Sequence, residues 1–132
     1  MNPEIIVDTL LADATIVALV GSRTALSQLP QNTSVPAIVY DLVSSVPNPV
    51  VAYASSAQMA TARIQFNVLA ANIPKVKEIH NALRTLLDFR HNSIVSGKKI
   101  VSCRLEALWP MEKDNEAGIW IQPADYMLKW YE

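Results

Sequence analysis

The chain has 132 residues, a length that suits one compact domain and leaves little room for a second. Hydrophobic residues make up 51% and charged residues 17%, enough apolar material for a real core with some left for the surface, where it points to a partner. A net charge of -1 excludes the global basic field that drives nucleic-acid or anionic-membrane binding, and no apolar run approaches the roughly 20 residues of a membrane helix.

The first element is a helix. Asn2 offers a capping side chain, Pro3 suits the first helical position and Glu4 complements the helix dipole; Ile5, Ile6, Thr9 and Leu10 follow at helical spacing. Asp13 can cap a second helical piece over Ala14–Val20, with Gly21 as its stop, so this region reads as two consecutive pieces or one bent helix. Ser22 to Pro36 is turn-rich. Ala37–Val43 reads as a strand whose entrance proline removes no internal ladder bond.

Ser44 to Ala60 reads as a long mobile loop rich in Ser and Ala. Long excursions of this kind are usually functional, and Val50, Val51 and Tyr53 give this one an apolar centre. With Pro47 and Pro49 they form the candidate partner-binding set. Thr61–Ala71 then alternates strictly: Ala62, Ile64, Phe66 and Val68 on one face, Arg63, Gln65, Asn67 and Leu69 on the other. That pattern indicates an antiparallel sheet with one face buried.

Asn72-Ile73-Pro74 opens another helix, with a stripe of Val76, Ile79, Leu83, Leu86 and Leu87 to pack on the face carrying Ile64, Phe66 and Val68. Ile94 to Ile100 reads as a hairpin around Ser96-Gly97. Val101, Cys103, Leu105 and Ala107 alternate with polar residues in a long strand, and Glu112–Gly118 is a charged hairpin loop. The closing strand, Ile119–Gln122 and Tyr126–Tyr131, is expected to break near Pro123. The predicted architecture is α+β, an antiparallel β-sheet packed against two main helices, forming a single domain over residues 1–132.

Charge is unevenly distributed along the chain. Residues 63–104 hold eight bases against two acids, and residues 105–132 six acids against two bases. Two solvated faces would account for this, and so would complementary ends that meet between copies. Arg63, Arg104, Glu112, Asp114 and Glu116 are the candidate subunit contacts.

No catalytic constellation is evident, and no cofactor or metal is called for. Three glycines, Gly21, Gly97 and Gly118, cannot write a phosphate-cradling loop. His80 is expected exposed or at a helix edge, without companions at ligand spacing, and His91 at a helix end where a base suits the dipole. The single cysteine, Cys103, cannot form an internal disulfide and reads as a buried, inert thiol. Trp109, Trp120 and Trp130 cluster on the late strands as core or interface anchors, and the acidic C-terminal third argues against nucleic acid. With no secretory signal evident, synthesis and folding in a cytoplasm are expected.

Four stretches together resemble the tailed-bacteriophage tail completion and tail terminator family: Leu11–Arg23, Leu29–Tyr40, Ala62–Ala70 with its following helix, and the aromatic end Tyr126–Tyr131. Thr24 and Ala25 stand where that family usually shows an apolar–aromatic pair. The resemblance implies a small α+β virion protein that forms rings, often hexameric, at the head-proximal end of the tail tube. Such a ring stops tube polymerisation and offers a head-attachment surface; its implied partners are its own copies, the tail tube protein and head–tail connector proteins. A head–tail connector or minor capsid ring subunit is the neighbouring alternative. A small-ligand-binding or enzymatic domain would need polar groups between helix and sheet, where the sequence puts apolar ones.

Overall fold

The computed structural model describes residues 3–28, 34–48 and 59–131. Helix α1, Glu4–Leu11, follows directly on Pro3 and buries Ile6, Val7, Leu10 and Leu11; the expected cap Asn2 lies outside the described residues. Helix α2, Ala14–Val20, starts where Asp13 Oδ2 accepts the Thr15 N–H at 3.0 Å, and it buries Ile16 and Val20. It stops at Gly21, whose φ of 60° and ψ of -131° are open to glycine and strained for other residues. The two pieces are separate helices, so with α3 (Ile73–Leu87) the described residues form three helices where two main ones were expected.

The turn-rich segment hides a three-residue strand, β1 (Thr24–Leu26), paired in parallel with Ile38–Tyr40 of β2 (Ala37–Asn48). Its start is fixed by Arg23, whose Nε donates to the Pro36 carbonyl at 2.7 Å and whose own carbonyl accepts the Ile38 N–H at 2.9 Å. Strand takes up both ends of the expected loop over 44–60. Strand β2 continues to Asn48 and β3 begins at Met59, and the pairs Ser44↔Arg63 to Asn48↔Met59 extend the ladder past a bulge between Leu42 and Ser44. Pro47 pairs with Ala60 in that extension, whereas Pro49, Val50, Val51 and Tyr53 lie outside the described residues.

Strand β3, Met59–Ala70, has the alternation read from its sequence: Ala60, Ala62, Ile64, Phe66, Val68 and Ala70 are buried and the residues between them half-buried. Helix α3 lies on that buried face with Val76, Ile79, Leu83 and Leu87 inward and Leu86 half-buried. Asn72 Oδ1 caps it by accepting the Lys75 N–H at 2.9 Å. Then come β4 (Arg90–Val95), a Ser96-Gly97 turn, β5 (Lys98–Leu108), β6 (Glu112–Asp114) and β7 (Ile119–Tyr131).

Among the described residues these strands form one sheet in the order β1-β2-β3-β7-β5-β4, with β6 added beside β7. The expected antiparallel sheet is therefore mixed through its single parallel pair, β1 with β2. The core lies between the sheet and the helices. It stacks Tyr40 against Phe66 at 6.1 Å and Phe66 edge-on against Tyr126 at 5.5 Å, with Trp130 fully buried. In β5, register shifts after Ile100 and after Leu105 replace the simple alternation expected there, so Ile100 and Cys103 are buried while Val101 is half-buried.

The closing strand does not break at Pro123. β7 is continuous and pairs with β3 along its length, Asn67 opposite Pro123. The Pro123 carbonyl accepts the Trp109 N–H at 3.0 Å, so the missing N–H points the same way, away from β3. On that side β5 has ended its pairing at Leu108↔Ala124 and β6 has not yet begun at Glu112↔Ile121. The proline occupies the gap between two partners and removes no ladder bond.

Candidate assembly surface

Asp125, on the sheet face away from the helices, is 3% exposed and ionically paired. Its Oδ2 accepts from Arg63 Nε at 3.1 Å and Nη2 at 2.7 Å, and its Oδ1 from Gln65 Nε2 at 3.0 Å. Trp109 hydrogen-bonds it as well. Burial alone would raise this carboxyl; the donors from Arg63, Trp109 and Gln65 outweigh it and hold it below its ordinary value. Arg63, one of the expected subunit contacts, makes this ion pair within its own chain and keeps a third of its side chain exposed.

The remaining candidate contacts are at the surface. Arg104 lies 3.9 Å from Glu106 in an exposed pair. All three residues of β6 are exposed, Glu112 and Asp114 among them, as is Glu116. Asp114 also shapes its turn, its Oδ1 accepting the N–H groups of Glu116 at 3.1 Å and Ala117 at 3.2 Å. Lys113, the one base of this hairpin, lies over the Trp120 ring at 5.7 Å. The tryptophans divide: Trp130 is core, Trp120 packs at the core margin and Trp109 is half exposed beside an exposed Leu108.

β7 orders these groups along one line. Near its Tyr131 end lies the β4–β5 turn, with Lys98, Lys99 and, opposite Lys99, an Ile94 that is 75% exposed. At its Ile119 end β6 presents Glu112 and Asp114. Thirteen residues of strand separate the two by about 40 Å. Lys98 and Lys99 were not among the expected contact residues, although Ser-Gly-Lys-Lys at a hairpin is a signal for an exposed basic tip.

The groups that could carry chemistry are occupied structurally. His80, expected exposed or at a helix edge, is buried because its ring reaches across to β7, where Nε2 donates to the Gln122 carbonyl at 2.9 Å; burial lowers its pKa and that carbonyl acts in the opposite sense. His91, expected at a helix end, is instead on β4, exposed, with Nδ1 donating to the Phe89 carbonyl at 2.9 Å. The Cys103 thiol is buried and pushed up to about 12 by that burial, so it stays protonated. The Tyr40 hydroxyl, raised by burial and by Asp8, donates to Asp8.

An open cleft of about 430 Å³ lies between α2 and α3, lined by Asp13, Thr15, Asn81, Thr85, Leu86 and Arg90. Asp13 caps α2 there, and Arg90 Nε donates to the Leu86 carbonyl at 3.0 Å. Among the described residues no three His, Cys, Asp or Glu side chains form a metal-holding group, and no helix is long and apolar enough to cross a membrane.

A family model described as Tail completion protein gp17 matches residues 4–108. Among solved structures, a chain of the virion of a native gene transfer agent particle superposes with a TM-score of 0.72 at 14% identity, covering 98% of this chain and 93% of that one. A second solved chain, 9% identical, superposes with a TM-score of 0.53 over 98% of this chain and 88% of its own. At these identities the likeness is one of fold. No curated protein matches the sequence.

Proposed function

Because the chain belongs to the tail completion protein gp17 family, and is therefore a structural protein of the phage tail, we propose that it is the subunit of a ring at the head-proximal end of the tail tube. The ring, a hexamer in this reading, stops tube polymerisation and presents the surface to which the head attaches; its partners are further copies, the tail tube protein and the head–tail connector. The family match carries the proposal. A ring of identical subunits needs two different patches that complement each other, and the opposite charges at the two ends of β7 support that requirement. Of the subunit contacts, Arg104, Glu112 and Glu116 present their charges outward, while Arg63 and Asp114 hold neighbouring structure in place.

In this reading the segment from Pro47 through Pro49, Val50, Val51 and Tyr53 engages the tube or the connector. Its flanking residues Asn48 and Met59 are paired directly, so residues 49–58 can be replaced by a two-residue Asn-Gly hairpin turn without disturbing the ladder. The replacement is expected to keep the fold and the ring but to yield overlong, headless tails in a complementation assay. Tails of normal length and full head attachment would refute the role of this segment.

A further inference from the structure

Each subunit carries an unanswered charge at either end of β7. Residues 89–104 hold four bases and no acid, and residues 105–118 hold four acids and one base. Among the described residues the ion pairs are Arg63–Asp125, Lys75–Glu78, Arg84–Asp88 and Arg104–Glu106, so Lys98, Lys99, Glu112 and Glu116 have no oppositely charged partner within 4 Å. The single base of the acidic hairpin is drawn back over Trp120. With about 40 Å of strand between them, the two sets cannot satisfy each other within one subunit. Each end also exposes apolar surface near its charge: Ile94 opposite Lys99, and Leu108 and Trp109 at the end of β5, just ahead of Glu112 in the chain. The same combination, apolar plus charge of one sign, thus occurs twice with the sign reversed.

We propose that copies join through these two ends, the β4–β5 turn of one subunit seating Ile94, Lys98 and Lys99 on the Leu108–Trp109 strip and the Glu112 and Glu116 carboxylates of the next. The occupant of the acidic hairpin is a second copy of this chain, because the chain itself displays the complementary tip. The contact rests on the ring reading above and names the surfaces that close it. An exposed ion pair contributes little by itself. Apolar contact at the centre, with charges at the rim selecting register and partner, is the usual division at such an interface.

The test uses the full chain and two charge reversals, Lys98→Glu with Lys99→Glu, and Glu112→Lys with Glu116→Lys. Asp114 is left alone because it shapes its turn. Light scattering with negative-stain imaging follows assembly, and circular dichroism confirms that each variant is folded. Wild type is expected to form rings, alone or on purified tail tubes, and each reversal by itself to lose them. Mixed in equal amounts, the two variants are expected to regain rings, since every junction then brings opposite charges together. Rings from either reversal alone, or no recovery on mixing, would overturn this contact and leave the ring reading standing. A wild type that never forms rings, even with tubes present, would sink both.

Discussion

At the scale of single residues, the Arg63–Asp125 ion pair is internal to the fold. The Asp125 carboxylate collects Arg63, Gln65 and Trp109, tying β3, β7 and the β5–β6 link together on the sheet face that no helix covers. Asp125→Ala leaves a partly buried guanidinium and two further donors without their acceptor. It is expected to lower unfolding free energy by about 3 kcal/mol in urea titration, somewhat less than a fully buried pair because Arg63 is a third exposed. His80 gives the fold an acid sensitivity. Its folded-state pKa is lowered, so the native state holds the ring neutral while the unfolded chain protonates it. The contribution is complete above the ordinary value of 6.5 and is lost as pH falls from there towards the folded-state pKa. Thermal melts between pH 7 and 5 should show a decline that His80→Gln flattens. Asp125 adds a second decline lower down, its contribution being present above 3.8 and lost below it.

At the scale of elements, what could be read in the sequence and what could not have definite physical reasons. β3 and α3 were legible because each keeps one period over at least 12 residues, with one face buried against the other. Asn72 marked the start of α3, and Asn72→Ala is expected to cost about 1 kcal/mol by equilibrium unfolding. β1 is too short to show a period, and its partner is reached only after a further turn-rich segment. The end of β2 was hidden by serine and proline, whose loop preference yields to pairing with β3 once the bulge after Leu42 resets the register. Pro123 signalled a break that the gap between β5 and β6 makes unnecessary. For a related reason charge counts could locate the basic and acidic segments but not the setting of each side chain: only packing shows that Arg63 turns to Asp125, that Lys99 is exposed and that Lys98 is half-buried.

At the scale of the whole molecule, the long β7 relates the two ends. It pairs β3 on one side and β5 then β6 on the other, so a rigid ladder fixes the spacing of the basic and acidic tips. Asn48 and Met59 meet beside Tyr131, so this end of the β2–β3 ladder lies at the lysine end of β7. The proposed junction, with both of its halves on each copy, has a further consequence. Any open row of copies ends with one lysine tip and one acidic hairpin unmet, however many members it has. Only a closed circle removes both. The last junction forms between groups already held on the same assembly, at a high effective concentration, so closure adds a contact without immobilising another molecule. If copies join as proposed, incomplete arcs are short-lived and complete circles persistent, and no separate device is needed to stop the addition of copies.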